Sequence, residues 1–177
     1  MDKDAYLEIN ASQRPALALF EAMGYTYISP ADCDKQRGSR YHLLLRDILR
    51  GQLRRLNRYV YAGAENEFSA ANIERAMEDL DEPLTDGLVR TSEKIYDALL
   101  LGKSYPETIG DGKMLSFNLK YIDWDNPQNN VFHVTEEFAV DSRDRQHNAR
   151  PDIVLFINGI PFAVIELSLI HISEPTR

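Results

Sequence analysis

Two apolar runs joined by Asn158-Gly159 constrain the fold of this chain more than any other feature of its sequence. The runs, Ile153 to Ile157 and Phe162 to Leu167, have the composition of buried core strands. Asn-Gly between two such runs is the strongest short-range signal for a β-hairpin, because both residues tolerate the positive φ angles of a tight turn. We therefore predict an antiparallel pair of strands near the carboxyl end.

Acidic residues stand at the outer ends of this hairpin. Asp152 opens the first run directly after Pro151, and Glu166 closes the second. A carboxylate beside buried strands is tolerated when it is hydrogen-bonded or binds a metal, but not as an isolated charge. The alternative is structural, since an Asp after Pro often serves a turn and a Glu at a strand end often meets solvent.

The length of the hairpin loop decides whether these two acids meet. A two-residue loop pairs Ile157 with Ile160 and Asp152 with Ile165, which puts the acids on opposite faces of the sheet. A three-residue loop that ends at Ile160 pairs Asp152 with Glu166, with Cβ atoms ~4.5–5.5 Å apart. Both registers are compatible with the sequence.

In the second register the two carboxylates could bind one divalent cation. Two like charges so close repel strongly unless a cation or a proton lies between them. Mg²⁺ prefers oxygen ligands and commonly takes one or two carboxylates together with water and substrate phosphate. A divalent cation held by two carboxylates can catalyse phosphodiester hydrolysis, in which a nearby lysine often positions or deprotonates the attacking water.

Helical patterns dominate the first hundred residues, and strand patterns follow. We predict a helix over Pro15 to Met23, a short strand over Tyr25 to Ile28, and a polar loop over residues 31–40. Three more helices are expected, over Tyr41 to Val60, from a Ser69 cap to about Leu80, and over Glu93 to Leu101 with Ser92 as its cap.

The later part of the chain changes to the alternating pattern of strands. Phe117, Leu119 and Tyr121 alternate with polar residues, and Val131 to Val140 forms a second strand that we expect to pair with the first. The predicted fold class is therefore α/β or α+β, with a small mainly antiparallel or mixed sheet flanked by helices.

The bulk properties fit one soluble domain of 177 residues. No run approaches the ~20 apolar residues of a membrane span, and the acidic amino terminus is unlike a secretory signal. The only cysteine, Cys33, excludes an internal disulfide framework and suits a cytoplasmic location. A net charge of −8 argues against a protein that coats nucleic acid, although a nuclease needs only a local basic patch.

One candidate for such a patch is a stripe of arginines four residues apart in the predicted helix, at Arg46, Arg50, Arg54 and Arg58. These side chains could contact DNA phosphates. The alternative is a solvated helix face whose arginines pair with acidic neighbours.

The sequence resembles the nuclease region at the amino terminus of type I restriction enzyme restriction subunits, whose motif is of the PD-(D/E)xK kind. The resemblance extends over about residues 6–167. It is carried by Arg150 to Phe156, Asn158 to Pro161 and Val164 to Glu166, and by the segments Leu44 to Arg50, Pro83 to Leu88, Leu101 to Tyr105, Tyr121 to Trp124 and Asn130 to Phe138.

The resemblance implies a restriction-endonuclease-like core in which Asp152 and Glu166 are catalytic and bind Mg²⁺. The carbonyl of Leu167 would be a further ligand, and Glu8 or Glu21 would supply an acid from the first helix. The parent protein would cleave double-stranded DNA after ATP-driven translocation by a motor outside this chain. Its partners would be the modification and specificity subunits, and no membrane is implied.

The sequence departs from this family at position 168, where serine stands in place of the lysine of the motif. We expect residues 168–177 to be a non-native tail after a truncated nuclease domain at 1–167, with the sheet incomplete at its carboxyl end. The fragment itself is therefore predicted to be inactive or nearly so.

Two other functions are compatible with the sequence. The region could be a non-catalytic docking module for the modification and specificity subunits, in which the acids are structural. It could also belong to a Holliday-junction or recombination nuclease with the same carboxylate chemistry. The long amino-terminal set of helices and the Tyr121 to Trp124 segment argue against this second alternative.

Overall fold

The computed structural model describes residues 12–81, 87–141 and 148–167. The predicted tail and Glu8 lie outside these ranges. The helices are α1 (Arg14–Ala22), α2 (Pro30–Arg37), α3 (Arg46–Leu56), α4 (Ala70–Leu80) and α5 (Leu88–Leu101). The strands are β1 (Thr26–Tyr27), β2 (Arg58–Tyr61), β3 (Ala64–Glu67), β4 (Lys103–Thr108), β5 (Met114–Leu119), β6 (Phe132–Glu136), β7 (Val140–Asp141), β8 (Asn148–Ala149), β9 (Ile153–Ile157) and β10 (Ile160–Ile165).

A four-stranded sheet in the order β1-β6-β9-β10 is the centre of the molecule. Strand β1 runs parallel to β6, whereas β6–β9 and β9–β10 are antiparallel pairs. The smaller pairs β2–β3, β4–β5 and β7–β8 are antiparallel hairpins or ladders beside it. The mixed sheet and its flanking helices confirm the predicted α/β class.

Helix α1 covers one face of the central sheet. Its Leu17 packs with Val134 of β6 and Ile153 of β9, and all three side chains are buried. Phe20, one turn further along the same side of the helix, joins this cluster. The helical spacing that predicted α1 therefore corresponds to its sheet-facing side.

Helices α2 and α3 lie against the opposite face, where Cys33 and Leu45 pack with Val154 and Phe156. The prediction of a polar loop over residues 31–40 was wrong for most of its length. Ser29 caps α2 by accepting a hydrogen bond from the Asp32 N–H, and Pro30 begins the helix. Helix α2 is polar overall and buries Cys33 and Arg37, so its composition resembles that of a loop.

The largest core cluster lies beyond this sheet and joins helices α3, α4 and α5 to the β4–β5 hairpin. The predicted pairing of β5 with β6 was wrong, because β5 pairs with β4 instead. Pro106 is tolerated within β4 because a two-stranded sheet has a free edge on each strand. Tyr105 and Tyr121 are buried in this cluster, and their hydroxyl oxygens are 2.7 Å apart.

The predicted helices are correct in number over this region but differ at their ends. Ser69 caps α4 as predicted, whereas Ser92 lies inside α5, which begins after Gly87. Helix α3 ends at Leu56, since the Asn57 side chain donates to the carbonyls of Leu53 and Lys120 and turns the chain into β2. Among the described residues, no helix combines the length and apolarity needed to cross a membrane.

A buried network of side-chain amides fixes the inner end of the β9–β10 hairpin. The Asn158 side chain accepts from the Val131 N–H at 2.9 Å and donates to the Tyr121 carbonyl at 3.0 Å. It also donates to Asn130, which is bonded in turn to the backbone of Asp123. The network joins the hairpin turn to the segment between β5 and β6, so the hairpin cannot slide relative to that segment without breaking buried bonds.

Candidate active site

The hairpin turn is the two-residue kind. Asn158 and Gly159 have φ angles of 53° and 83°, and Ile157 pairs with Ile160. Two successive positive φ angles define a turn whose twist matches that of the flanking strands. Gly159 also packs closely against the start of α3. A Cβ added at this position would lie 2.7 Å from the Leu45 carbonyl oxygen. The prediction of a hairpin at Asn-Gly is confirmed.

A β-bulge then changes the register of the hairpin. Pro161 pairs with Phe156, but Ala163 pairs with Leu155, so Phe162 is an extra residue on β10. Beyond the bulge the pairing continues to Ile165 opposite Ile153. Asp152 and Glu166 are the residues that directly adjoin this last pair in the chain. A two-residue loop together with a bulge therefore gives, as far as Ile153 with Ile165, the pairing expected of a three-residue loop.

Hydrogen bonds hold Asp152 from both sides. Its Oδ2 atom accepts from the Leu167 N–H at 2.6 Å, which ties it to β10 just past Glu166. Its backbone carbonyl accepts from the Glu137 N–H at 3.0 Å and from Gln13 Nε2 at 3.4 Å. Gln13 is buried at the start of α1. Three segments distant in sequence therefore fix the position of this aspartate.

Glu166 differs from Asp152 in its surroundings. Its side chain is exposed, and within the described ranges its carboxylate has neither an ion pair nor a hydrogen bond. In the same part of the chain, no group of three or more His, Cys, Asp or Glu side chains is placed to hold a metal ion.

Of the two acids considered for the first helix, the structure describes only Glu21. Glu21 lies on α1 and is near Tyr27, whose hydroxyl donates to Glu136 at 2.9 Å. Burial, the bond to Glu136 and the charges nearby raise the pKa of Tyr27 to about 12. Because Glu136 pairs with Ile153, alternation puts it on the sheet face opposite to that of Asp152. Glu8, the other candidate, is outside the described residues.

Three of the four arginines of the predicted stripe lie on one helix. Arg46, Arg50 and Arg54 lie on α3, but Arg58 lies on β2 because the helix ends before it, so that part of the prediction was wrong. Glu74 of α4 binds Arg50 Nε at 2.5 Å and Arg46 at 3.4 Å.

Arg58 pairs with Glu67 at 2.8 Å. Arg54 is exposed and, where the structure describes the chain, forms no ion pair. Most of the stripe is thus neutralised by acids, as in the structural alternative.

Glu137, near Asp152, has a backbone conformation that no local pattern in the sequence predicts. Glu137 follows β6 with a positive φ of 52°, and its carboxylate forms an ion pair with Arg150. A non-glycine residue in this conformation costs about 1–2 kcal/mol. Nothing in the Glu136-Glu137 dipeptide of the sequence indicates a left-handed residue.

A comparison with protein families identifies the following match. The family described as "Type I restriction enzyme R protein N terminus (HSDR_N)" matches residues 5–168, which include both hairpin acids and every described element. The matched range agrees closely with the range of the resemblance in the sequence analysis.

Two curated proteins of Methanocaldococcus jannaschii are similar to this chain. One is named "Putative type I restriction enzyme MjaVIIIP endonuclease subunit" and is 31% identical over 124 residues, covering 70% of this chain. The other, "Putative type I restriction enzyme MjaIXP endonuclease subunit", is 35% identical over 80 residues, covering 40% of this chain. The aligned regions make up 11% and 8% of those proteins, so this chain spans about a tenth of their length.

Proposed function

This chain belongs to the family of type I restriction enzyme R protein N termini, and from that premise we propose that Asp152 and Glu166 bind Mg²⁺ for the hydrolysis of double-stranded DNA. The observation that carries the proposal is the register of β9 and β10. Beyond the bulge at Phe162, Ile165 pairs with Ile153, so the next residues on the two strands are the two acids.

The chemistry of the donors fits this cation. Both side chains offer carboxylate oxygens, and Leu167, whose carbonyl would be a further ligand, follows Glu166 in the chain. Mg²⁺ takes one or two carboxylates and leaves its remaining positions for water and substrate phosphate, so a set of two acids is sufficient. When bound, the cation stabilises the negative charge that develops on the phosphate. The Leu167 N–H orients Asp152 by donating to its Oδ2, which leaves Oδ1 for a ligand.

The residue at position 168 limits the activity we propose for this chain. The resemblance to PD-(D/E)xK nucleases assigns a lysine to this place, and serine stands there instead. A serine hydroxyl has no positive charge and is a poor base at neutral pH. We therefore propose that the chain retains the cation site but cleaves DNA slowly or not at all.

The remaining features proposed for the whole protein come from its family and not from this chain. They are translocation driven by ATP and assembly with the modification and specificity subunits. The chain corresponds to about a tenth of its curated relatives, so a motor would belong to other regions of such proteins.

A docking module is the second candidate, and one observation favours it. Trp124, Phe162 and Val164 are about half exposed, and the rings of Trp124 and Phe162 are 6.2 Å apart. Exposed apolar side chains grouped in this way often mark a protein interface. In this interpretation the hairpin presents an apolar surface to a partner subunit, and the acids have only structural roles.

Calorimetry with Mn²⁺ or Mg²⁺ separates the two candidates. We expect the chain to bind either ion at millimolar concentration or below, and Asp152→Ala and Glu166→Ala to abolish that binding. Glu65→Ala is a matched control, because Glu65 is an exposed acid in the separate β2–β3 sheet. Absence of binding in the unaltered chain, or equal loss in the control, would overturn the proposed cation site and leave docking as the better function.

A further inference from the structure

Glu137 has a backbone conformation that glycine would adopt at lower cost. Its φ of 52° lies in the left-handed region, where the Cβ atom of an ordinary residue crowds its own backbone. Such residues persist where the surrounding structure holds them in place, and they concentrate at functional sites. The presence of glutamate instead of glycine at this position therefore indicates a role for its side chain.

A hydrogen bond and an ion pair join Glu137 to the segment that carries Asp152. Its N–H donates to the Asp152 carbonyl at 3.0 Å, and the next N–H, that of Phe138, donates to the Pro151 carbonyl at 3.3 Å. The Glu137 carboxylate forms an ion pair with Arg150. The backbone and the side chain of one residue thus hold Arg150 to Asp152 on both sides of Pro151.

A glycine at position 137 would keep the backbone hydrogen bonds but lose the ion pair. The carboxylate is about two-thirds buried and its partner guanidinium is 66% exposed, so the pair lies at the surface beside the site. Exposed ion pairs contribute little to overall stability. What this pair can fix instead is the direction in which the chain enters β9, and with it the orientation of Asp152.

We propose that Glu137 is a positioning residue, which holds Arg150 and thereby orients the Asp152 carboxylate toward Glu166 for cation binding. The inference rests on the proposed function, because it assigns Glu137 a role only if Asp152 binds a cation. Glu137 acts through Asp152 and is not itself a ligand.

A purely electrostatic role would give a different pattern of effects. Removal of the Glu137 charge would weaken cation binding, but removal of the Arg150 charge would strengthen it, since a nearby cation repels a bound one. A positioning role requires both changes to weaken binding, because either one breaks the same ion pair. The sign of the Arg150→Ala effect therefore distinguishes the two roles.

The test measures Mn²⁺ affinity by calorimetry and thermal unfolding for the unaltered chain, Glu137→Gly, Arg150→Ala and the double variant. We expect each single change to raise the Kd about three- to tenfold, and the double variant to add little beyond either. Glu137→Gly should unfold at the same temperature as the unaltered chain or higher, since glycine relieves the backbone. Ala62→Gly is the matched control, because Ala62 has a φ of 51° in the separate β2–β3 hairpin, and its Kd should not change.

The outcomes separate this inference from the proposed function. If the unaltered chain binds Mn²⁺ and Asp152→Ala does not, but Glu137→Gly binds as well as the unaltered chain, the positioning role is wrong and the cation site stands. Tighter binding by Arg150→Ala, or complete loss of binding in Glu137→Gly alone, also overturns it. If the unaltered chain binds no Mn²⁺ at millimolar concentration, both proposals fail together.

Discussion

Asp152 and Leu167 are joined across the outer end of the β9–β10 hairpin by a 2.6 Å hydrogen bond from the Leu167 N–H to the Asp152 Oδ2 atom. The bond closes the hairpin beyond the last paired strand positions, Ile153 and Ile165, by one residue on the Asp152 side and two on the Leu167 side. One carboxylate therefore has a structural role through Oδ2 and retains a second oxygen for a ligand. Substitutions can separate these two roles.

Asp152→Asn should keep the hairpin and lose the cation. An asparagine oxygen still accepts the Leu167 N–H but has no negative charge, so we expect stability within about 0.5 kcal/mol of the unaltered chain. Asp152→Ala should cost about 1–2 kcal/mol more, since it leaves that N–H without its partner. Chemical denaturation and Mn²⁺ calorimetry on both variants measure the two effects. Equal stabilities for the two variants would contradict the structural role of Oδ2.

Ser168→Lys should increase DNA cleavage. A lysine two residues after Glu166 can help to position or deprotonate the attacking water, and general acid–base assistance contributes on the order of 10²-fold or more. We expect relaxation of supercoiled plasmid in the presence of Mg²⁺ to rise at least about tenfold over the present chain. Ser168→Met controls for side-chain length, and adding Asp152→Ala should remove the gain. A gain that survives Asp152→Ala would point to a contaminating nuclease.

Gly159→Ala should destabilise the chain by about 2–4 kcal/mol. An alanine would be strained at a φ of 83°, and its Cβ would lie 2.7 Å from the Leu45 carbonyl oxygen and 3.1 Å from the Leu49 nitrogen. Gly51→Ala is the opposite control, because Gly51 lies within α3 with no atom within 4 Å of an added Cβ. That change should stabilise the helix by about 1 kcal/mol. Denaturant midpoints for the two variants should therefore move in opposite directions.

Arg54 and Arg50 should differ in their effect on DNA binding. Arg54 is exposed on α3, whereas Arg50 is bound to Glu74 at 2.5 Å and to Asp47 at 2.7 Å. If this surface contacts DNA, Arg54→Ala should lower the salt dependence of binding by about one ion, with a slope change near 0.9. Arg50→Ala should leave the slope unchanged and slightly lower the unfolding temperature. Fluorescence anisotropy across a salt series gives the slopes, and equal slopes for all three proteins would exclude DNA contact by Arg54.

Alkaline pH should destabilise the core through Tyr105 and Tyr121. Burial and the hydrogen bond to Asp79 hold the pKa of Tyr105 above its usual range, and burial does the same for Tyr121. The folded pKa values exceed the unfolded value of about 10, so the stabilisation is complete below that pH and is lost as the pH rises above it. Denaturation followed at increasing pH should show this loss, and phenolate absorbance of the two residues should appear only with unfolding. Tyr121→Phe should make the loss shallower, and an unchanged slope would exclude Tyr121 from it.

Local features of the sequence were sufficient for the hairpin and for several helices. Asn158-Gly159 determines a turn within four residues, and Ser69 and Gly102 mark helix ends through contacts with their own neighbours. The two acids were chosen as candidates because carboxylates at the ends of apolar strands need hydrogen bonds or a metal. These predictions needed no knowledge of distant contacts.

Features that depend on distant partners were missed. The pairing of β5 with β4 and the early end of α3 are each set by packing or bonds to remote segments. The positive φ of Glu137 and the bulge at Phe162 have no local signature either, because neither position is a glycine. The sequence therefore predicted that Asp152 and Glu166 lie at the outer ends of this hairpin, but not the contacts that hold the two ends.

The bulge at Phe162 has a consequence for how this pair of acids can be recognised in other chains. A regular hairpin with the same two-residue turn and one residue fewer in its second strand would also align the aspartate with the glutamate. A search pattern with a fixed interval between the two acids would miss such a chain, although its strands would present the same pair. Tolerance of one residue in that interval, with the Asn-Gly dipeptide as the anchor, follows from the geometry of the ladder.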